Sequence, residues 1–284
     1  MIDLHSHSKA SDGQYSPSEL IFKAAAEKVS VLALTDHDTV AGHEEAWEAG
    51  KKAGIIFVPG TELEIQWPTG EFHLLGLGLK SPSEKLMDII SFLQSERKSR
   101  NSKIIAKMQQ DGIQITLEQL EDLNPGKSLG RPHIADFLVS KKIVKNRQAA
   151  FDKFLARGRP WYVSRAGADL KEAVQAISES GGIPVIAHPL SLYVSWGKLD
   201  GVLAEIFDAG VQGLEAWHPG ARVVESQRLE ELGRKIGFFI TAGSDFHGEK
   251  IRADRKLGHS AGGRKIEDRF WTEELLPRLS AQGF

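Results

Sequence analysis

Seven short apolar runs, nearly all separated by segments of helical periodicity, constrain this 284-residue chain more than any other feature. They lie at residues 2–4, 29–35, 55–58, 72–77, 182–187, 211–217 and 238–242. Continuous apolar runs of this length are expected for strands buried on both faces. Strands alternating with helices predict an α/β fold: a parallel sheet covered on both sides, or a sheet closed into a barrel. The third and fourth runs are joined by the turn Pro68-Thr69-Gly70, which predicts a hairpin there.

The connecting segments carry their own start signals. Ser16-Pro17-Ser18-Glu19 is a capping box with proline at the first helical position, and the helix it opens is expected through Lys28. Thr39 is read as opening a second helix that stops at Gly54. The alternation breaks at Ser81, where Ser81-Pro82-Ser83-Glu84 repeats the first capping pattern. From there the chain reads as helical, through a third box at Thr116–Gln119, a loop at Asn124-Pro125-Gly126 and a helix start near Pro132. Residues 81–158 are therefore expected to form an all-helical insertion between two barrel parts, 1–80 and 159–284. Helices at 169–180, 199–208 and up to Lys235 restore the rhythm.

The chain has no cysteine, so disulfides, thiolate nucleophiles and sulfur-ligated metals are all excluded. Any metal must be held by imidazole and carboxylate. A net charge of −2 argues against coating DNA or other long nucleic acid by bulk electrostatics. No leader pattern and no run near the roughly 20 apolar residues of a membrane span is present, so a cytoplasmic location is expected.

The polar residues at the run ends carry the chemistry. In α/β barrels, sites assemble where the loops leave the carboxyl ends of the strands. His5, His7, Asp12, His37, Glu62, His73, His188, His218, Asp245 and His247 all fall near such ends, whereas His43, His133 and His259 do not. His73 is the least regular, lying within a predicted hairpin strand. Convergence of these groups predicts one shared metal site. Arg131 and His133 flank Pro132 at a helix start, where free backbone N–H groups favour an anion such as phosphate. Arg97, Lys98, Arg100, Lys103 and Lys107 read as a solvated basic face, and Trp161 as a candidate base-stacking indole.

The motifs His5-x-His7…Asp12-Gly13, Thr35-Asp36-His37-Asp38, Gly60-Thr61-Glu62, Ala187-His188-Pro189 and Ser244-Asp245-x-His247 resemble those of the polymerase and histidinol phosphatase (PHP) superfamily. The helical insertion, Gly130-Arg131-Pro132-His133 and Glu215-Ala216-Trp217-His218-Pro219 are similar to one branch, which contains 3′,5′-nucleoside bisphosphate phosphatases and 5′-to-3′ exoribonucleases. The resemblance implies a distorted (β/α)7 barrel holding two or three divalent ions. It places His5, His7, Glu62 and Asp245 on the first metal. Glu62 would bridge to a second metal with His73 and His188, and Asp12, His37 and His247 would hold a third. His218, Asp245 and His247 would be the catalytic side chains, with Arg131, His133 and His218 contacting substrate phosphate.

Charge supports an anionic substrate. Three divalent ions bring +6 and the three carboxylates only −3, leaving a site that favours hydroxide and phosphate. Manganese, iron or zinc suits imidazole with carboxylate better than calcium does. The expected reaction is attack of a metal-bound hydroxide on a phosphate monoester of a small nucleotide, most simply the 3′-phosphate of a nucleoside 3′,5′-bisphosphate. Three other readings compete: an exoribonuclease trimming short RNA oligonucleotides, an amidohydrolase-type C–N hydrolase, and a non-catalytic structural module.

Overall fold

A computed structural model describes residues 1–123 and 129–283; the loop expected at Asn124-Pro125-Gly126 lies outside the described residues. The chain divides into two compact units, Met1–Ile90 with Gly167–Phe284, and Ser91–Ala166.

The first unit holds one seven-stranded sheet whose spatial order follows the sequence: β1 (Ile2–Asp3), β2 (Val31–Leu34), β3 (Ile56–Ile65), β4 (Phe72–Leu77), β5 (Ile183–Ile186), β6 (Gly213–Trp217) and β7 (Phe239–Ala242). All neighbours are parallel except β4, which runs antiparallel to both β3 and β5. The two ends of the sheet meet: Leu4 N donates to Ala242 O at 3.3 Å, Asp245 N to His5 O at 2.9 Å, and His7 N to Phe246 O at 2.9 Å. The result is a nearly closed (β/α)7 barrel, as the alternation predicts. Strand residues such as Leu32, Leu34, Leu74, Ile186, Leu214 and Ile240 are almost wholly buried, which accounts for their unbroken hydrophobicity. Five of the strands are shorter than their apolar runs, at one end or both, whereas β4 matches its run and β3 extends past its own.

Among the described residues, ten α-helices accompany the strands. In the barrel unit these are α1 (Pro17–Ala26), α2 (His43–Ala53), the first turns of α3 (Glu84–Gln110), α7 (Leu170–Glu179), α8 (Trp196–Asp208), α9 (Val223–Ile236) and α10 (Leu276–Ala281). The capping box on α1 forms as expected, with Ser16 and Glu19 each bonding the other's backbone N–H. Two starts differ. Thr39 caps a tight turn, accepting from Ala41 N at 3.2 Å, and α2 begins only at His43. Ser83, not Ser81, caps α3 by accepting from Leu86 N at 3.2 Å, because the helix begins only at Glu84.

The second unit contains the rest of α3 with α4 (Leu117–Asp122), α5 (Arg131–Ser140), α6 (Arg147–Ala150) and a π-helical turn at Phe151–Leu155. Its core gathers Ile104, Met108, Leu120, Ile134, Leu138 and Trp161. No helix among the described residues is long and apolar enough to cross a membrane.

A charged cluster ties α9 to the C-terminal segment of the barrel unit. Glu230 accepts from Trp217 Nε1 at 2.5 Å, from Arg269 at 2.9 and 3.1 Å, and from Arg234 at 2.9 and 3.2 Å. Burial works against its charge, but these donors pull the carboxyl down to about 2. Its contribution is therefore complete above the ordinary glutamate range and fades as pH falls through it toward 2. Glu230→Gln should lower unfolding free energy by about 1–3 kcal/mol at pH 7. Denaturant titrations at pH 7 and pH 3 should show the gap to wild type shrinking at the lower pH.

Candidate metal centre

The barrel brings the run-end residues to one rim. His5, Ser6 and His7 continue β1, His37 follows β2, Glu62 lies within β3, His188 follows β5, and Asp245 and His247 follow β7. His73 joins them because β4 runs the opposite way. It is the second residue of β4, opposite Glu64, so its end of the strand lies at the mouth where the parallel strands finish. His188 and Asp245 adopt left-handed backbone conformations, with φ of 27° and 51°. Such strain is typically held in place at functional positions.

Glu62 is the fully buried centre. Its Oε1 lies 2.9 Å from both His73 Nδ1 and His188 Nε2. Its Oε2 lies 2.9 Å from His37 Nδ1, 3.3 Å from His7 Nε2 and 3.5 Å from His5 Nε2, yet none of these approaches has hydrogen-bond geometry. Asp245 Oδ1 is 3.3 Å from His7 Nε2 and 3.6 Å from His5 Nε2. Asp12 Oδ1 is 3.2 Å from His247 Nε2. Donors on one tetrahedral ion, each bound at about 2.0–2.1 Å, sit about 3.3 Å apart. The His5–His7 Nε2 separation of 3.1 Å fits that spacing. Among the described residues four donor groups arise: His7 with Asp12, His37 and His247; His5 with His7 and Asp245; His5 with Glu62 and His188; and His37 with Glu62 and His73.

Proton positions show why a cation fits. His5 Nδ1 donates to Glu215 Oε1 at 3.0 Å, and His247 Nδ1 to the Asp245 carbonyl at 2.9 Å. Ser191 Oγ gives its proton to Glu71 O, so it accepts from His188 Nδ1 at 3.0 Å. Each neutral ring then presents a bare Nε2 toward a carboxylate oxygen, an approach that repels unless something positive lies between. Protons can play that part. Burial opposes charging, but Asp12 and Asp245 push His247 up to about 9, and Glu215 and Glu62 push His5 well above its usual value. Burial and the charges of His247 and His37 hold His7 down to about 3. Burial alone would raise Glu62, Asp12 and Asp245, yet the surrounding imidazoles keep all three well below the ordinary range. Metal loading would release the histidine protons.

Comparison with known proteins now decides the family. The PHP domain pattern matches residues 3–179, more than half of the chain. The chain belongs to the PHP family. It is 36% identical over 246 residues to a 5′-3′ exoribonuclease of Haemophilus influenzae, covering 86% of this chain and 89% of that one. It is 32% identical over 273 residues to a 3′,5′-nucleoside bisphosphate phosphatase of Chromobacterium violaceum, covering 96% and 95%. Among solved structures, one described as an amidohydrolase from Chromobacterium violaceum, with bound sulfate and no metal, aligns at a TM-score of 0.87 and 30% identity over 99% of this chain and 96% of that one. The PHP assignment and the donor groups identify the chain as an enzyme, a metal-dependent phosphoesterase.

This PHP site rests on buried carboxylates outside the candidate ligand set. Glu215, inside β6, holds His5 Nδ1 with one oxygen and His188 N (2.8 Å) with the other. Asp3 accepts from Ser244 N, Ser244 Oγ and Gly258 N at 2.5–2.9 Å. Asp36 accepts from Ser8 N, Ser8 Oγ and Ser11 Oγ at 2.5–2.8 Å, pinning the loop that carries Asp12. Sequence reading missed Glu215 and Asp3 as supporting groups; the available signal was a lone carboxylate inside an otherwise apolar run. Gly243 allows this packing, because a Cβ there would fall 2.2 Å from His5 Cβ and 2.5 Å from Glu215 Oε1.

His218 also reaches the rim, its Nε2 3.4 Å from Asp245 Oδ2. Arg131 and His133 lie in the helical unit, in the first turn of α5, where His133 Nδ1 accepts from Gly130 N at 3.0 Å. Two expectations fail there. Arg97 and Arg100 are buried rather than solvated, because they share one helical face with Leu93 and Ile104. Trp161 is a core residue, stacked on Phe154 at 4.1 Å and donating to Asp111 Oδ2 at 2.6 Å, so it presents no free indole face of the kind a base needs. His43 and His259 sit outside the cluster, each bonded to a backbone carbonyl.

Removing the support should loosen the metals without unfolding the barrel. Glu215→Gln should weaken metal retention by about 10- to 100-fold, as loss of a ligand-orienting partner typically does. Chelator competition followed by elemental analysis would measure it.

Proposed function

We propose that this phosphoesterase removes the 3′-phosphate from a nucleoside 3′,5′-bisphosphate. His5, His7, Glu62 and Asp245 would hold one divalent ion, Glu62, His73 and His188 a second, and Asp12, His37 and His247 a third, with manganese, iron or zinc as candidates. When bound, the ions would acidify a water and neutralise phosphoryl charge. The protein's own part is positioning. The hydrolysis joins the water oxygen to phosphorus and breaks the P–O3′ bond, leaving an alcohol and inorganic phosphate.

His218 carries the reading. Its Nδ1 accepts from Gly220 N at 3.0 Å, so the ring proton sits on Nε2, which points at the Asp245 edge of the centre. Burial lowers its pKa further, keeping the ring neutral. A neutral Nε2–H is a poor metal ligand and a weak acid but a well-placed hydrogen-bond donor. That supports contact with a phosphoryl oxygen over proton delivery to the leaving group. Gly220 is required for this, since a Cβ there would lie 2.8 Å from His218 Nδ1. Arg131 and His133 are proposed as further phosphate contacts. The C. violaceum phosphatase, similar over almost the whole chain, supports the bisphosphate substrate.

The H. influenzae relative favours a second reading, stepwise removal of 5′-nucleotides from short RNA at the same centre. Metal-loaded protein incubated with a nucleoside 3′,5′-bisphosphate should release free phosphate, and chelation should abolish the activity until metal is restored. Mononucleotides appearing stepwise from a 5′-phosphorylated oligoribonucleotide, with the bisphosphate intact, would select the second reading. Inertness toward both would defeat the proposal, and hydrolysis of an amide in their place would redirect it to C–N chemistry. His37→Ala should lower kcat at least about 100-fold with little change in melting temperature. Wild-type turnover in that variant would remove His37 from the centre.

A further inference from the structure

Arg255 is a buried cation without an adequate partner. It lies on the loop after β7, is 6% exposed, and its Nε makes no hydrogen bond. Its nearest carboxylate is the largely exposed Asp254, 3.5 Å from that nitrogen. A buried guanidinium whose ion pair is with an exposed carboxylate, and whose Nε lacks a hydrogen bond, is costly to keep, so its location is informative. A Cβ placed on Gly220 would lie 3.5 Å from Arg255 Nη2 and 2.8 Å from His218 Nδ1, which puts the guanidinium beside the His218 ring. Arg252, one turn earlier on the same loop, brings Nη1 to 3.4 Å from Asp245 Oδ2. His218 Nε2 faces that same oxygen at 3.4 Å. Asp245 therefore divides two environments: Oδ1 faces His5 and His7, and Oδ2 faces the donors His218 and Arg252.

We propose that Arg255 and Arg252, with His218, form the clamp for the phosphoryl group being hydrolysed, and for the phosphate it becomes. Two guanidiniums and a neutral imidazole N–H beside the metal ligands suit a tetrahedral dianion with several oxygens to satisfy. The scissile carbonyl of a C–N hydrolase substrate is neutral and does not itself offer that charge. The proposal rests on the phosphoesterase reading and adds the groups that hold the reacting phosphate.

The test uses inorganic phosphate as the probe, titrated calorimetrically into metal-loaded full-length protein. Wild type should bind it. Arg255→Met, close in length, should weaken phosphate about 10- to 100-fold and lower kcat/KM at least as much, with metal content unchanged. Arg255→Lys should recover part of the binding but not all, because an ammonium lacks the two-pronged donor geometry. A purely structural arginine would move melting temperature and leave phosphate affinity alone, and that result in Arg255→Met overturns the clamp. Should Arg255→Met fail to fold, the half-exposed Arg252→Met decides: a loss of about 10-fold in phosphate affinity supports the clamp and unchanged affinity overturns it. Wild type that neither binds phosphate nor hydrolyses any phosphate monoester would bring down the underlying reading instead, a distinguishable outcome.

Discussion

Electronegative atoms crowded together in a buried setting are the constraint on which the barrel depends. Glu62 alone has five imidazole nitrogens within 3.5 Å of its two oxygens, in a setting with no solvent exposure. Once Nδ1 of His5, His188 and His247 is committed to outer partners, three lone pairs aim at carboxylates. Such an arrangement is stable only when positive charge enters it, either as protons or as metal. The rest of the rim exists to hold these groups at that separation. Glu215, Asp3 and Asp36 do so as buried carboxylates whose oxygens are occupied by backbone N–H groups, hydroxyls and an imidazole. Each is tied to segments that carry the candidate ligands, so hydrogen bonds within the protein restrain those segments.

Charge is graded outward from that centre. Carboxylates and histidines occupy the interior, and cationic or neutral donors occupy the outer edge of Asp245. The grading suits a dianion that must meet metal on one side and hydrogen-bond donors on the other. The left-handed backbone at His188 and Asp245 shows where the fold accepts strain to aim side chains inward.

The candidate ligands could be picked out in the sequence because most stand just past an apolar run, where a polar group has no packing role. His5-x-His7, His188 and Asp245-x-His247 follow this rule, whereas Glu62 lies inside β3, which runs on past its apolar start. His73 did not, because strand direction is invisible in a hydrophobic pattern and only the antiparallel course of β4 returns it to the mouth. Glu215 was hidden for the opposite reason: it lies within a strand, and only the three-dimensional approach of His5, more than two hundred residues away, reveals its use. Arg252 and Arg255 belong to a loop without periodicity, so nothing marked them. Arg97 and Arg100 show the converse failure, since a run of basic residues says nothing about which face of the helix turns inward.

The closure of β1 against β7 has a consequence for how the protein matures. The backbone bonds described above join these edges at Leu4, His5, His7, Ala242, Asp245 and Phe246, next to or among the residues that carry the donors. The seam and the centre are thus one construction. A chain emerging from the ribosome holds most of its donors early, yet it can neither zip the seam nor complete the cage until residue 247 is free. Completing the donor cage and closing the seam between β1 and β7 are therefore the same event in folding.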